Sequence, residues 1–177
     1  MIESCYWKEA LKRTSKSIRP VAKPRRWSER AHCLVERDIM VGFFIVRRLI
    51  ELQKVSDRVR EFRVGVYSYP NRGKLVHRLN RADLEELYDT AKGLKQMKKP
   101  LYLSNQFIHA YTSFVMRGQD RNWDSVWVVS DFDRNHCIWR VPIPAIRALF
   151  DLVANSHVHS ASWKYNPEKK DYDITTR

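Results

Sequence analysis

The chain has 177 residues, 44% of them hydrophobic, with 33 Lys and Arg against 20 Asp and Glu for a formal net charge of +13. That length and apolar content suit one domain with a buried core and exclude wholesale disorder. The longest apolar run, residues 39–46, is far short of the ~20 residues of a membrane span, and no charged-then-apolar leader is expected at the start, so no membrane partner is expected.

Residues 3–18 read as a short helix with a partial apolar stripe at Trp7, Ala10, Leu11 and Ile18. Pro20 and Pro24 then force an extended or turned stretch. The segment 28–54 is the clearest element. Ser28 is placed as its N-cap, Glu29 suits the positive first turn, and apolar residues lie almost all round its centre, the pattern of a buried spine. Gly42 inside it is expected to let a neighbouring helix come close.

Residues 62–69 alternate as a strand does, and the turn at 70–73 is expected to fold 75–79 back on them as a hairpin. Asn80 is the expected cap of an amphipathic helix through Leu84, Leu87 and Tyr88, followed by a basic turn at 95–99 closed by Pro100. Residues 104–116 read as a further helix, which would line up Asn105, His109, Thr112 and Met116 on one face. Two strands, 126–129 and 137–141, flank the polar loop 130–136, and Pro144 opens a last helix through Val153. The expected architecture is a single α+β domain with a long buried N-terminal helix, further helices and two β-hairpins. A basic helix and arm (1–27) precede the core domain (28–163), and a polar, loosely held tail (164–177) follows it.

The charge is uneven. Residues 1–100 hold 24 of the 33 basic side chains and 12 of the 20 acidic ones, so they carry nearly all of the net charge. Such a skew is the footprint of a side that faces a polyanion. The densest stretch, 12–26, contains Lys12, Arg13, Lys16, Arg19, Lys23, Arg25 and Arg26 with no acid among them, flanked by Tyr6, Trp7 and Trp27. Cations neutralise phosphates, and an exposed indole offers a stacking face to an unpaired base. Lys95, Lys98 and Lys99, with Arg134 in the later loop, extend the candidate set.

The five glycines stand alone, which excludes a P-loop or dinucleotide fingerprint. Cys5, Cys33 and Cys137 form no disulfide framework and read as reduced thiols of a cytoplasmic protein. His157-x-His159, His32-Cys33 and His136-Cys137 lack zinc spacing, and Asp124, Asp131 and Asp133 read as turn chemistry, so neither metal nor cofactor is expected. Asn105 and His109 are the candidate catalytic pair. A His oriented by an Asn can act as general acid or base while a ribose 2′-hydroxyl attacks its own phosphate; the bland alternative is a backbone-capping Asn and a His satisfied in the core.

The segment 103–111, with Asn105 and His109, resembles the HEPN ribonucleases, all-helical toxins and defence effectors with an Arg and a polar residue before a His. That resemblance implies metal-independent RNA cleavage. The Arg should lie at 102–104, where this chain has Tyr, Leu and Ser. Arg25 and Arg26 before His32, and Arg72 before His77, match the spacing at the frequency chance gives. The same segments, with Ser130-Asp131 and Arg134-Asn135, resemble small bacterial proteins of similar length.

The leading expectation is therefore a nucleic-acid-binding protein, for RNA or single strands rather than sequence-read duplex DNA, within a bacterial defence or toxin system. No helix-turn-helix or RNP pattern supplies base readout. A ribonuclease using Asn105 and His109 is the first alternative. The second is an interaction subunit whose helix 28–54 packs on a partner or a second copy.

Overall fold

A computed structural model describes residues 4–19 and 28–177. Their elements, in chain order, are α1 (Ser4–Ser17), α2 (Glu29–Glu51), α3 (Asp57–Glu61), β1 (Val64–Pro70), α4 (Leu84–Leu87), β2 (Leu94–Lys98) and α5 (Pro100–Ile108). They continue with β3 (Ala110–Arg117), β4 (Trp123–Ser130), β5 (Cys137–Pro142), α6 (Ile143–Ala154), β6 (Ala161–Asn166) and β7 (Asp171–Thr176). This is the expected single-domain α+β class. Five strands form one antiparallel sheet in the order β2-β1-β5-β4-β3, and β6 and β7 form a separate two-stranded sheet.

α2 is the spine that its pattern predicts. The Ser28 hydroxyl accepts from the Ala31 N–H at 3.2 Å, satisfying one of the helix's orphan donors. Val35, Ile39, Phe43, Ile45, Val46, Leu49 and Ile50 are buried, each contributing roughly 1.5–3 kcal/mol of transfer free energy where a large side chain leaves water completely. Phe43 stacks on Phe107 of α5 at 3.9 Å between ring centroids and meets Phe150 of α6 edge-on at 5.3 Å. The burial is not all round: Leu34, Val41 and Phe44 are exposed along one stripe.

Because side chains alternate along a strand, each face of the sheet has its own set. Val64, Val66, Val126, Val128, Trp139 and Val141 join α2, α5 and α6 in the main core. α1 and the turn after it close that side by inserting Leu11 and Ile18 into the same core. Tyr69, Val129 and Ile138 point the other way, where Val76, Leu87 and Tyr88 of the connection 71–93 form a smaller second core over them.

Several expected elements are corrected. β1 does not pair with 75–79: its neighbours are β2 and β5, and the register Tyr67↔Lys95 and Tyr67↔Arg140 makes it an interior strand. The 70–73 turn leads instead to irregular chain, with Gly73 at a φ of +78° and Val76 tucked beneath it. The expected helix after Asn80 shrinks to the single turn α4, with Asp83 at its N-cap position. The basic turn 95–99 is mostly an edge strand, and Pro100 starts a helix, at N1, rather than ending a unit. The expected helix 104–116 ends at Ile108 and its second half is β3. The hairpin of 126–129 with 137–141 is present as β4–β5, and the helix opened by Pro144 is α6. Lys164 and the residues after it are no loose tail. Residues 161–176 pair as the β6–β7 hairpin, docked where the Thr176 hydroxyl donates to the Val55 carbonyl at 2.9 Å and the Thr176 N–H donates to Asp57 at 3.0 Å.

Candidate nucleic-acid interface

Strand register assembles a surface that spacing along the chain conceals. Lys95 pairs with Tyr67, Tyr67 with Arg140, Arg140 with Trp127, and Trp127 with Phe114. Directly paired residues of an antiparallel sheet project to the same face, so these five side chains form one row across all five strands. At the usual strand spacing the row spans about 19 Å. It lies on the face opposite α2, α5 and α6, beside the second core. Lys95 is exposed and the other four are half-buried, so rings and cations meet solvent on one edge and protein on the other.

The row is held from within. Trp127 stacks on Tyr69 with centroids 4.6 Å apart, and the Arg140 guanidinium lies 5.5 Å from the Tyr67 ring centroid. Arg140 donates to Asp124 at 2.9 Å and to the Ser125 hydroxyl at 3.2 Å. Burial pushes the Asp124 carboxyl up, but the Ser125 hydroxyl and Arg140 outweigh it and hold the group below the usual carboxylate range. Beyond Trp127 the sheet opens into a groove of about 610 Å³ whose walls include Phe114, Met116 and Thr90, with Asp83, Glu85 and Glu86 along its rim. Those carboxylates make that end of the face unfavourable to an anion, in contrast to the Lys95 end.

The residues singled out by charge do not converge. Lys12, Arg13, Lys16 and Arg19 are exposed on or just after α1, on the helical side of the sheet. Lys23, Arg25, Arg26 and Trp27 lie outside the described residues. Lys98 projects to the helical side, where its ammonium sits 4.8 Å from the Tyr102 ring and 4.6 Å from that of Trp139. Lys99 is paired with Glu61 at 2.8 Å. Arg134 stacks 4.3 Å over Tyr111 and pairs with Asp131 at 2.9 Å. Trp7 is half-buried against Phe44, with centroids 6.1 Å apart. Among the described residues of the expected set, only Lys95 belongs to the row.

Asn105 and His109 separate in role. His109 is the C-cap of α5 and is exposed, its N–H bonded to the Asn105 carbonyl at 3.0 Å. The Asn105 side chain is half-buried and its Oδ1 is enclosed without a hydrogen-bond partner. An arginine of α2 reaches His109: Arg47 Nη1 is 3.4 Å from His109 Nε2. Glu51 fixes that guanidinium by accepting from Arg47 Nε at 2.6 Å, and this hydrogen bond draws the Glu51 carboxyl below its ordinary range. Nothing local in the sequence marks Arg47, whose spacing to Glu51 reads as an ordinary i,i+4 surface pair.

The loop 130–136 is clamped beside this pair. Asp133 accepts from the Tyr102 hydroxyl at 2.8 Å and from Gln106 Nε2 at 2.7 Å, while Gln106 Oε1 accepts from the Ser130 N–H at 3.0 Å. Burial and the hydrogen bond to Asp133 together drive the Tyr102 hydroxyl's pKa well up. Each of the three acids thus has a partner of its own: Asp124 with Arg140, Asp131 with Arg134, and Asp133 with Tyr102 and Gln106. His157 and His159 lie in irregular chain rather than on a strand. Among the described residues no group of three or more His, Cys, Asp or Glu is placed to hold a metal, and no helix is long and apolar enough to cross a membrane.

No family model, curated protein or solved structure matches this chain.

Proposed function

We propose that this protein binds single-stranded nucleic acid, RNA in preference to duplex DNA, in the cytoplasm, and that the outer face of its sheet is the contact surface. The observation that carries the reading is the cross-strand row Lys95–Tyr67–Arg140–Trp127–Phe114, in which two cations and three rings share one face. Sheet-borne aromatics stack splayed bases, and interleaved Lys and Arg follow the backbone. A duplex keeps its base faces covered and would gain only the phosphate contacts. The net charge of +13 supports the same partner.

The test is fluorescence anisotropy with labelled single-stranded RNA, single-stranded DNA and duplex DNA over a range of salt. Affinity for the single strands should fall steeply with salt. The Tyr67→Ala/Lys95→Gln variant should bind roughly tenfold more weakly, its fold checked by circular dichroism. Salt-independent binding, or none at low salt, defeats the reading.

A second reading is favoured by one observation, the approach of Arg47 to His109. In a metal-independent ribonuclease His109 would take the proton of a ribose 2′-hydroxyl as its oxygen attacks the adjacent phosphorus, the 5′-oxygen would leave with a proton from solvent to give a 2′,3′-cyclic phosphate, and Arg47, held by Glu51, would stabilise the charge growing on the phosphate. Labelled RNA incubated with chelator should then be cleaved by the wild type and not by His109→Ala. Equal cleavage by both proteins, or none by the wild type, removes this reading.

A further inference from the structure

We infer that the C-terminal β6–β7 hairpin is a second base-stacking surface, one that takes the unpaired bases of a single-stranded nucleic acid; the inference rests on the nucleic-acid reading above and extends it to a separate site. The register Trp163↔Ile174 and Tyr165↔Tyr172 puts Trp163, Tyr165 and Tyr172 on one face of the hairpin. They are 64%, 54% and 53% exposed, although a two-stranded sheet has little apolar surface to spare. Docking does not use them. The hairpin is tied to the body by Thr176, through Val55 and Asp57, and by the Ile174 carbonyl, which accepts from Arg60 at 3.4 Å.

The rings are ordered rather than scattered. Tyr172 meets Tyr165 edge-on at 5.4 Å and Trp163 edge-on at 6.4 Å, which holds the rings in place while leaving more than half of each residue in water. Trp163 and Tyr165 are two residues apart on one strand, a rise of about 6.7 Å, close to twice the ~3.4 Å step of stacked bases. Two rings at that interval suit alternate bases of one strand.

Charge selects the partner. No acid lies on the aromatic face, because Asp171 and Asp173 pair with Asn166 and Lys164 on the opposite face. Asp173 is further occupied by Lys169 at 2.7 Å and by the Asn166 amide at 2.8 Å. Lys164 lies on the face opposite the rings, and Lys170 is exposed in the turn that closes the hairpin, so a cation stands at the end of the aromatic face. Ordered, exposed rings on a face without acids, with Lys170 at the turn, suit the planar bases of a polyanion better than a protein surface.

The experiment uses the full chain and an oligoadenylate of about twelve nucleotides, within the usual site size of such surfaces, alone and annealed to its complement. Single-strand binding should quench tryptophan emission, and the quench should shrink in Trp163→Phe while affinity holds. Tyr165→Ala/Tyr172→Ala should weaken single-strand binding by roughly tenfold and leave duplex binding unchanged. If that double variant loses hydrogen-exchange protection in the hairpin, Trp163→Ala, which keeps the Tyr165–Tyr172 pair, should show the same loss of affinity. A wild type that binds no nucleic acid at low salt overturns both this inference and the function proposed above. Tight binding unaffected by any hairpin variant overturns only the hairpin site. A change of oligomeric state on ring removal, with affinity intact, assigns the face to a second copy of the chain and overturns it as well.

Discussion

Gly42 sits where α2 crosses α6, and a Cβ there would run into the Phe150 ring. Phe150 is fully buried, with Phe43 edge-on against it. Alanine would favour the helix by about 1 kcal/mol, but overpacking of a closed core costs about 1–3 kcal/mol. Gly42→Ala should therefore lower stability by up to about 2 kcal/mol, read as a lower urea midpoint at unchanged m-value. A more stable variant would show that the helices can spread. Cys137 makes a second prediction at this scale. Burial, with nearby Asp133 adding to it, pushes its thiol from about 9 up to about 11, whereas Cys5 and Cys33 are exposed. At about pH 8 an aromatic disulfide reagent should titrate two thiols quickly and the third slowly. The folded state holds the Cys137 proton more tightly than the unfolded chain does, so its contribution is complete below about pH 9 and is lost as pH rises through about 11. Tyr88, raised by burial to about 12, acts in the same direction. Stability should thus decline above pH 9, and a flat urea midpoint from pH 8 to 11 would contradict this.

Helix and strand patterns overlap in the segment 104–116, and there the expectation failed. Phe107, Ile108, Tyr111, Phe114 and Val115 fit a helical stripe, but Tyr111, Thr112, Phe114 and Val115 are also good strand formers. β4 decides the matter: from Thr112 to Met116 the chain pairs with it residue by residue, across irregularities at either end, and buries Val115 on the helical side. The same competition undid the hairpin expected at 62–79. β1 satisfies its hydrogen bonds with β2 and β5, from far along the chain, and Leu79 is left 93% exposed. Docking of the β6–β7 hairpin is testable at this level. Thr176→Val removes the hydroxyl that donates to the Val55 carbonyl and lies 3.3 Å from Asp57 Oδ1, a loss of about 1–3 kcal/mol at the docking point. Hydrogen exchange should speed up through 161–176 and stay unchanged in α2 and the central strands. Uniform loss of protection would mean that the hairpin and the body unfold as one unit.

Over the whole molecule, the +13 charge is spread over more than one face. The α1 cations lie on the helical side, the Lys95 row lies on the opposite side of the sheet, and Lys99 and Arg134 are already paired. A strand of about eight nucleotides on the outer sheet face would not reach α1, whereas a long one could wrap round to it. Replacing Lys12, Arg13 and Lys16 together by Gln should therefore leave short-strand affinity within about twofold and flatten the salt dependence of long-strand binding by up to three contacts' worth. Equal losses for both lengths would place α1 inside the primary contact surface.

From the sequence alone came the α+β class, the length and cap of α2, the close approach at Gly42, the β4–β5 hairpin, α6 and the basic excess. Each of these is written in a run of neighbouring residues: a period, a cap, a proline, a count of charge. The outer row, the meeting of Arg47 with His109 and the partners of β1 depend on which distant segments lie side by side. Lys95 and Phe114 come into one row only through three intervening strands, and Arg47 is 62 residues from His109. Burial and hydrogen-bond satisfaction over the whole chain choose those neighbours, so only the tertiary structure decided where cations and rings share a surface.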